Sequence, residues 1–221
     1  MSQVQKIGTA LAFNTVLQSL NLSGLISVGP AGARTIAAAL KENRTLSRLN
    51  LDNANVGDEG AIAIADMLRT NRTLTDLALG GNGIRAQGAV ALAAALERNT
   101  SIVKINLAHN QIGADSDVCT EAAVGALATA IEKNKTIKVI LMNRNSICHE
   151  FRNTLIAACQ KNNASGGVIE YFSVGDTRWT NAPATAISVA PVEVTQAWEV
   201  DPDLELEGST AAEPFLSKAP Y

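Results

Sequence analysis

Apolar residues recur along this chain in a six-residue signature, with aliphatic side chains at its first, fourth and sixth places. It occurs as Leu17, Leu20, Leu22; as Leu46, Leu49, Leu51; as Leu74, Leu77, Leu79; as Ile102, Ile105, Leu107; and as Ile137, Ile140, Met142. Ile169, Phe172 and Val174 form a weaker sixth copy. Successive copies begin 29, 28, 28, 35 and 32 residues apart. In an extended segment alternate residues share a face, so the fourth and sixth places point together into a core while the residues between them point out. Downstream of each strand comes a second period. Ile36/Leu40, Ile64/Leu68, Leu92/Leu96 and Leu127/Ile131 are spaced i, i+4, which places each pair on one face of a helix. Alanines around them allow the helices to lie close to the strands. Every unit is therefore strand, turn and helix. None can bury its apolar face alone, so neighbours must stack.

The polar positions repeat as well. Asn82, Asn110 and Asn145 follow their strands at one offset, each two residues before Ile84, Ile112 or Ile147. A side-chain amide there can satisfy loop backbone groups that the turning chain leaves unpaired. Ala54 and Leu25 hold that place in the first two copies. The helices are predicted to end at Asn43, Asn71, Asn99, Asn134 and Asn162, a residue type that tolerates the left-handed conformation common at helix C-termini.

These residues carry a family resemblance. The LxxLxLxxNxI pattern, with Gly57-Asp-Glu-Gly-Ala-Ile-Ala-Ile-Ala65 and Ala95-Leu-Glu-Arg-Asn-Thr100, resembles the ribonuclease-inhibitor-like subclass of leucine-rich repeats over residues 7–174. The resemblance implies an α/β fold, a right-handed solenoid or horseshoe of five full repeats with short parallel strands on the concave face and helices on the convex one. Tropomodulin-like actin cappers, NOD-like receptors and Ran GTPase-activating proteins have similar repeats, so the resemblance specifies a fold and leaves the function open.

Three segments follow. Residues 1–16 read as a partial N-terminal repeat, since Ala10–Leu17 aligns with Ala95–Ile102. This end is either a reduced cap or a surface that an end-capping partner covers. Residues 17–175 are the repeats. Residues 176–221 hold five of the six prolines, both tryptophans, 8 acidic and 2 basic residues, against 13 acidic and 16 basic in residues 1–175. This tail reads as disordered or as a docking segment anchored by Trp198. The fourth unit is seven residues longer than its predecessors, and the insertion around Ala114–Thr120 reads as a loop between strand and helix.

The chemistry is sparse. Three cysteines without CxxC spacing make neither a disulfide framework nor a zinc site. Cys159 stands where Leu68, Leu96 and Ile131 stand, so it is expected in the core. His149 beside Cys148 lacks the third orienting group that a catalytic dyad needs. Gly80-Gly81-Asn82-Gly83 lacks the lysine of a phosphate loop. No cofactor or metal is expected, and the chain is not read as an enzyme. The repeats are only mildly basic and show no arginine–aromatic interleaving, which speaks against nucleic acid. No apolar run reaches the ~20 residues of a membrane span, and the opening residues do not read as an export signal, so a cytoplasmic setting, with cytoskeletal association where the tropomodulin likeness holds, is expected. The asparagines that open Asn-x-Ser/Thr triplets are read as helix ends and not as glycan acceptors.

A protein partner is therefore expected. The outward strand column Arg48, Asp76, Lys104, Val139 would carry a mixed polar surface, with opposite charges ~4.8 Å apart on adjacent strands. Val139 and Leu141 would make the last strand apolar. His109, Arg144, Trp179 and Trp198 complete the candidate partner-binding residues. The function expected is that of a non-enzymatic scaffold or adaptor subunit. The alternatives are a regulator of a small GTPase and an actin-filament-associated protein.

Overall fold

The computed structural model describes residues 3–175 and 177–180, with backbone alone at 117 and 177–180. Six helices, α1 (Gln3–Phe13), α2 (Gly29–Glu42), α3 (Gly57–Leu68), α4 (Ala86–Leu96), α5 (Asp117–Lys133) and α6 (His149–Ala164), alternate with strands β1 (Ser19–Asn21), β2 (Arg48–Asn50), β3 (Asp76–Ala78), β4 (Lys104–Asn106), β5 (Val139–Leu141) and β6 (Tyr171–Val174). A last strand, β7 (Thr177–Thr180), follows β6 directly. The strands form one sheet in sequence order. β1 to β6 are parallel, and β7 pairs antiparallel with β6. This is an α/β leucine-rich-repeat solenoid, as the two apolar periods predict.

The register aligns Leu20, Leu49, Leu77, Ile105, Ile140 and Phe172 in one row. From Leu49 onward every member of that row is buried, with exposure of 3% or less. The helix rows Ile36, Ile64, Leu92, Leu127 and Leu40, Leu68, Leu96, Ile131, Cys159 close over it. Each such aliphatic side chain contributes roughly 1.5–3 kcal/mol by leaving water. Burial pushes the Cys159 thiol up to about 12, so it behaves as a core apolar group. Helix approach is fixed by a glycine recurring every 28 residues, Gly32, Gly60 and Gly88. A Cβ on Gly60 would stand 2.9 Å from the Ala33 methyl of the preceding helix and 2.6 Å from a Val56 methyl. Only hydrogen leaves room there.

The helix-end asparagines act differently from the expectation. Asn43 and Asn134 have φ of −68° and −69° with ψ of 134°, which is extended and not left-handed. Their value lies in the side chain. Asn99 donates from Nδ2 to Leu68 O at 2.8 Å and Asn71 O at 3.3 Å in the preceding repeat. Its Oδ1 accepts from Ser101 N at 2.9 Å and Ile102 N at 2.8 Å. Asn43, Asn71 and Asn134 repeat the pattern. One amide thus satisfies the carbonyls left over at one helix end and shapes the entry to the next strand. Because the job needs a planar donor–acceptor group and extended backbone, glycine could not replace it. Asn14 opens the ladder, accepting from Val16 N and Leu17 N. Asn162 closes it: Nδ2 still donates to Ile131 O at 2.7 Å and Asn134 O at 2.5 Å, but its buried Oδ1 has no partner. The cause is that α6 runs two residues past it, so no strand-entry amides face that oxygen.

Two other expectations change. The seven-residue insertion is loop only in part: the stretch between strand and helix grows from seven residues (79–85) to ten (107–116), and the rest lengthens α5 to 17 residues, against 12 in α3 and 11 in α4. The sheet also continues past residue 175: a turn at Gly175, with φ of 60°, returns the chain as β7. At the other end α1 buries Val4, Gly8 and Leu11 and packs on α2.

Because the Asn99 amide serves four backbone groups, three of them in buried bonds, Asn99→Ala should lower unfolding free energy by about 2–4 kcal/mol. Asn14→Ala, at the exposed end, should cost under about 1 kcal/mol. Urea titrations followed by circular dichroism check this; equal losses in the two variants would contradict the ladder's role.

Candidate protein-binding face

The register brings the predicted column together. Arg48, Asp76, Lys104 and Val139 are successive partners across β2 to β5, flanked by Ser19 and Tyr171. Arg48 is exposed and the other three half-buried. Asp76 is oriented by its neighbour, whose Thr75 hydroxyl donates to Asp76 Oδ2 at 2.6 Å. The next outward column is not the open surface the alternation predicted. Asn50, Ala78, Asn106, Leu141 and Ser173 are all buried at 9% exposure or less. Leu141, read as an exposed apolar contact, is 5% exposed and lies between Asn106 and Ser173 in register. Asparagine explains much of the closure. Asn21, Asn50 and Asn106 each fold Oδ1 back to accept from the backbone N–H two residues on, at Ser23, Asp52 and Ala108.

Beyond the strands, a second asparagine series laces the loops, as expected. Asn82 Oδ1 accepts from Ala54 N at 2.9 Å and Val56 N at 3.1 Å, and Asn110 Oδ1 accepts from Asn82 N and Ile84 N. Each amide secures the loop of the repeat before it. Ala54 therefore does not leave its own loop open; it leaves the loop at Leu25 without this support, and Leu25 and Ile26 are exposed there.

The lacing fixes a ridge of residues at one loop position: Gly24, Asn53, Gly81, His109 and Arg144, all with positive φ. Two are glycine, as the left-handed conformation favours. His109 and Arg144, both at φ of 56°, are exposed and bear long side chains. Holding such residues there costs about 1 kcal/mol each. His109 is tied down by its N–H, which donates to Asn143 O at 2.8 Å. Sequence reasoning named both residues but missed the strain; the glycines at the matching places of the first and third copies were the available signal. Trp179 lies in β7, and Trp198 lies outside the described residues. Among the described residues no three His, Cys, Asp or Glu side chains gather to hold a metal ion. No described helix is long and apolar enough to cross a membrane.

One carboxylate is built into this face. Asp52 Oδ1 accepts from Gly80 N at 2.5 Å, and Asn106 Nδ2 donates to both its oxygens at 3.3 and 3.2 Å, so it bridges three consecutive repeats. Burial raises its pKa above the usual 3.8, against the opposing pull of the Gly80 and Asn106 hydrogen bonds and of His109 and Lys104. A raised folded-state pKa means the native state binds more protons, so the stability this group contributes is present below its unfolded value and declines as pH rises through the folded one. Asp52→Asn, which keeps an accepting oxygen, should therefore gain stability relative to the parent between about pH 3 and pH 7. Urea midpoints at the two values measure it; a difference independent of pH would refute the assignment.

Residues 14–119, just under half of the chain, match the family model described as the TMOD/LMOD leucine-rich domain. Among solved structures, the chain is similar to leiomodin-1 actin-binding site 2, with 18% identity and a TM-score of 0.61 over 75% of this chain and 92% of that one. It is also similar to the tropomodulin C-terminal domain of Caenorhabditis elegans, with 17% identity and a TM-score of 0.59 over 74% and 95%. No curated protein sequence matches it. At these identities the structural likeness speaks for the fold. With the strand signature and the two asparagine series, it gives this chain a leucine-rich-repeat fold, whose residues 14–119 are similar to the TMOD/LMOD leucine-rich domain.

Proposed function

We propose that this chain is a non-enzymatic protein-interaction module that associates with actin filaments through its sheet face and loop ridge, in a cytoplasmic, cytoskeletal setting. The observation that carries the reading is the match of residues 14–119 to the TMOD/LMOD leucine-rich domain. The likeness to an actin-binding site of leiomodin-1 lends support. The contacts proposed are Arg48, Asp76, Lys104 and Val139 on the sheet and His109 and Arg144 on the ridge. Their backbone is laced to neighbouring repeats, so little ordering entropy opposes binding, where a loose side chain would cost ~0.5–1.5 kcal/mol. Residues 176–221 are proposed as an acidic docking segment toward the partner, with Trp179 and Trp198 as aromatic contacts. Phe13 and Val16 before β1, and Leu25 and Ile26 after it, form the exposed apolar end proposed for a capping partner.

The test is cosedimentation of the full chain with filamentous actin. The chain should pellet with filaments, and the His109→Gly, Arg144→Gly double variant should bind roughly tenfold or more weakly. Because glycine relieves the left-handed strain, that variant should also unfold at higher urea, by about 1 kcal/mol per site. Stronger folding with weaker binding is the signature expected of ridge residues kept for contact. A full chain that stays in the supernatant at excess filament would dismiss the actin reading; a double variant that pellets as the parent does would dismiss the ridge.

A further inference from the structure

A cleft of ≈440 Å³ opens where α3 and α4 end, lined by Arg69, Arg72, Ala94, Glu97 and Arg98. It lies at the helix C-termini, away from the loop ridge at the far end of the strands. Basic residues at helix C-termini usually offset the partial negative charge of the last carbonyls. Arg72 does this: Nη1 donates to Leu68 O at 3.0 Å and Asn71 O at 2.9 Å, and Nη2 to Arg69 O at 3.0 Å. That explanation stops at Arg72. Arg69 and Arg98 are exposed, and neither side chain makes a hydrogen bond or ion pair among the described residues. Glu97, the one acid among the five lining residues, is already engaged by Lys133 at 2.8 Å. Asp66, which feels the charge of Arg69, is engaged by Lys41. Three guanidiniums therefore share one cleft whose nearby carboxylates are already paired with lysines.

We propose that this cleft binds an acidic segment of a partner protein, one that presents consecutive carboxylates. The charge calls for an anion, and guanidinium forks match carboxylate oxygens in pairs. The spread of the charge selects among anions. The arginines come from two packed helices, whose axes lie ~8–10 Å apart. Alternate side chains of an extended peptide are separated by ~7 Å, so successive acidic residues reach both helix ends, whereas a single phosphoryl group reaches one. The lining holds no aromatic side chain, so nothing there offers the stacking platform that single-stranded nucleic acid uses. Arg72, pinned by three carbonyls, supplies a preset centre, and Ala94 leaves the floor shallow enough for a main chain to lie across it. The surface is separate from the one proposed for actin and does not depend on that reading.

The experiment is fluorescence anisotropy of a labelled octaglutamate peptide titrated with the full chain, with unlabelled polyphosphate and an RNA oligomer as competitors. Parent protein should bind the peptide, less tightly as salt rises. Arg69→Gln with Arg98→Gln should weaken binding at least about tenfold, the equivalent of 1.4 kcal/mol, without changing the urea midpoint, because neither side chain bonds to the fold. Arg34→Gln, which removes an arginine paired with Glu59 at 2.7 Å on another helix, should leave binding unchanged. Equal weakening by Arg34→Gln and by the cleft variant would show diffuse attraction and overturn the site. Absence of peptide binding, or displacement by RNA or polyphosphate at lower concentration than by unlabelled octaglutamate, would overturn the proposed partner. Neither result bears on filament cosedimentation.

Discussion

The structure depends on a side-chain amide that belongs to two repeats at once. Apolar burial drives the units together, but burial is non-directional and tolerates slippage. The amide is directional. Asn71, Asn99 and Asn134 each take the orphan carbonyls of one helix end and the orphan amides of the next strand entry, and they do so across the repeat boundary. The second series, Asn82, Asn110 and Asn145, does the same at the other end of the strands. Between the two series β2, β3 and β4 are each clamped at both ends. Strands so short would be marginal alone, and the clamps let them hold a common register.

Much of this was legible in the sequence, and what was missed has physical reasons. The LxxLxL signature and the i, i+4 pairs identify strands and helices because both record which side faces the core. The loop asparagines were read correctly because their offset from the strand left few other partners. The helix-end asparagines were assigned the wrong conformation: residue type reports what a backbone tolerates, and only the neighbouring repeat shows where the amide points. Leu141 failed for a related reason. Alternation predicts which side of the sheet a residue faces, but not how far the side chains beside it cover it, and Leu141 is buried between Asn106 and Ser173 in register. β7 carries no repeat signature, since Thr177-Arg178-Trp179-Thr180 only has to pair with one edge. The arginine cleft went unseen because Arg69 and Arg98 lie on the helix side, while attention to a horseshoe falls on its sheet.

The surface features follow from the same lattice. A residue at a given offset recurs in space about every strand or helix spacing, so a substitution in one repeat sets a side chain into a row whose other members are fixed. His109 and Arg144 stand in a row otherwise held by glycine and asparagine, and Arg69 and Arg98 in rows at the helix ends. The lattice supplies rigidity; the departures from its consensus supply identity. Asp52 is a departure of another kind, a carboxylate drawn inward to bridge three repeats, whose burial raises its pKa.

The reversal at Gly175 has a consequence for assembly. A stack of identical units is an open lattice, and the exposed edges of its first and last strands are templates for growth. Two copies could in principle join edge to edge, the last parallel strand of one receiving the first strand of the next, and such heterologous contacts propagate into fibres. Among the described residues, β7 changes what that last edge offers. The strand offered at the terminal edge runs against β6, so an incoming β1 aligned with the stack would meet a partner of opposite polarity, whose hydrogen-bond spacing differs from that of a parallel neighbour. Among the described residues, four residues turned backward thus end the run of parallel strands, so a strand added there would sit in a different ladder from every repeat before it.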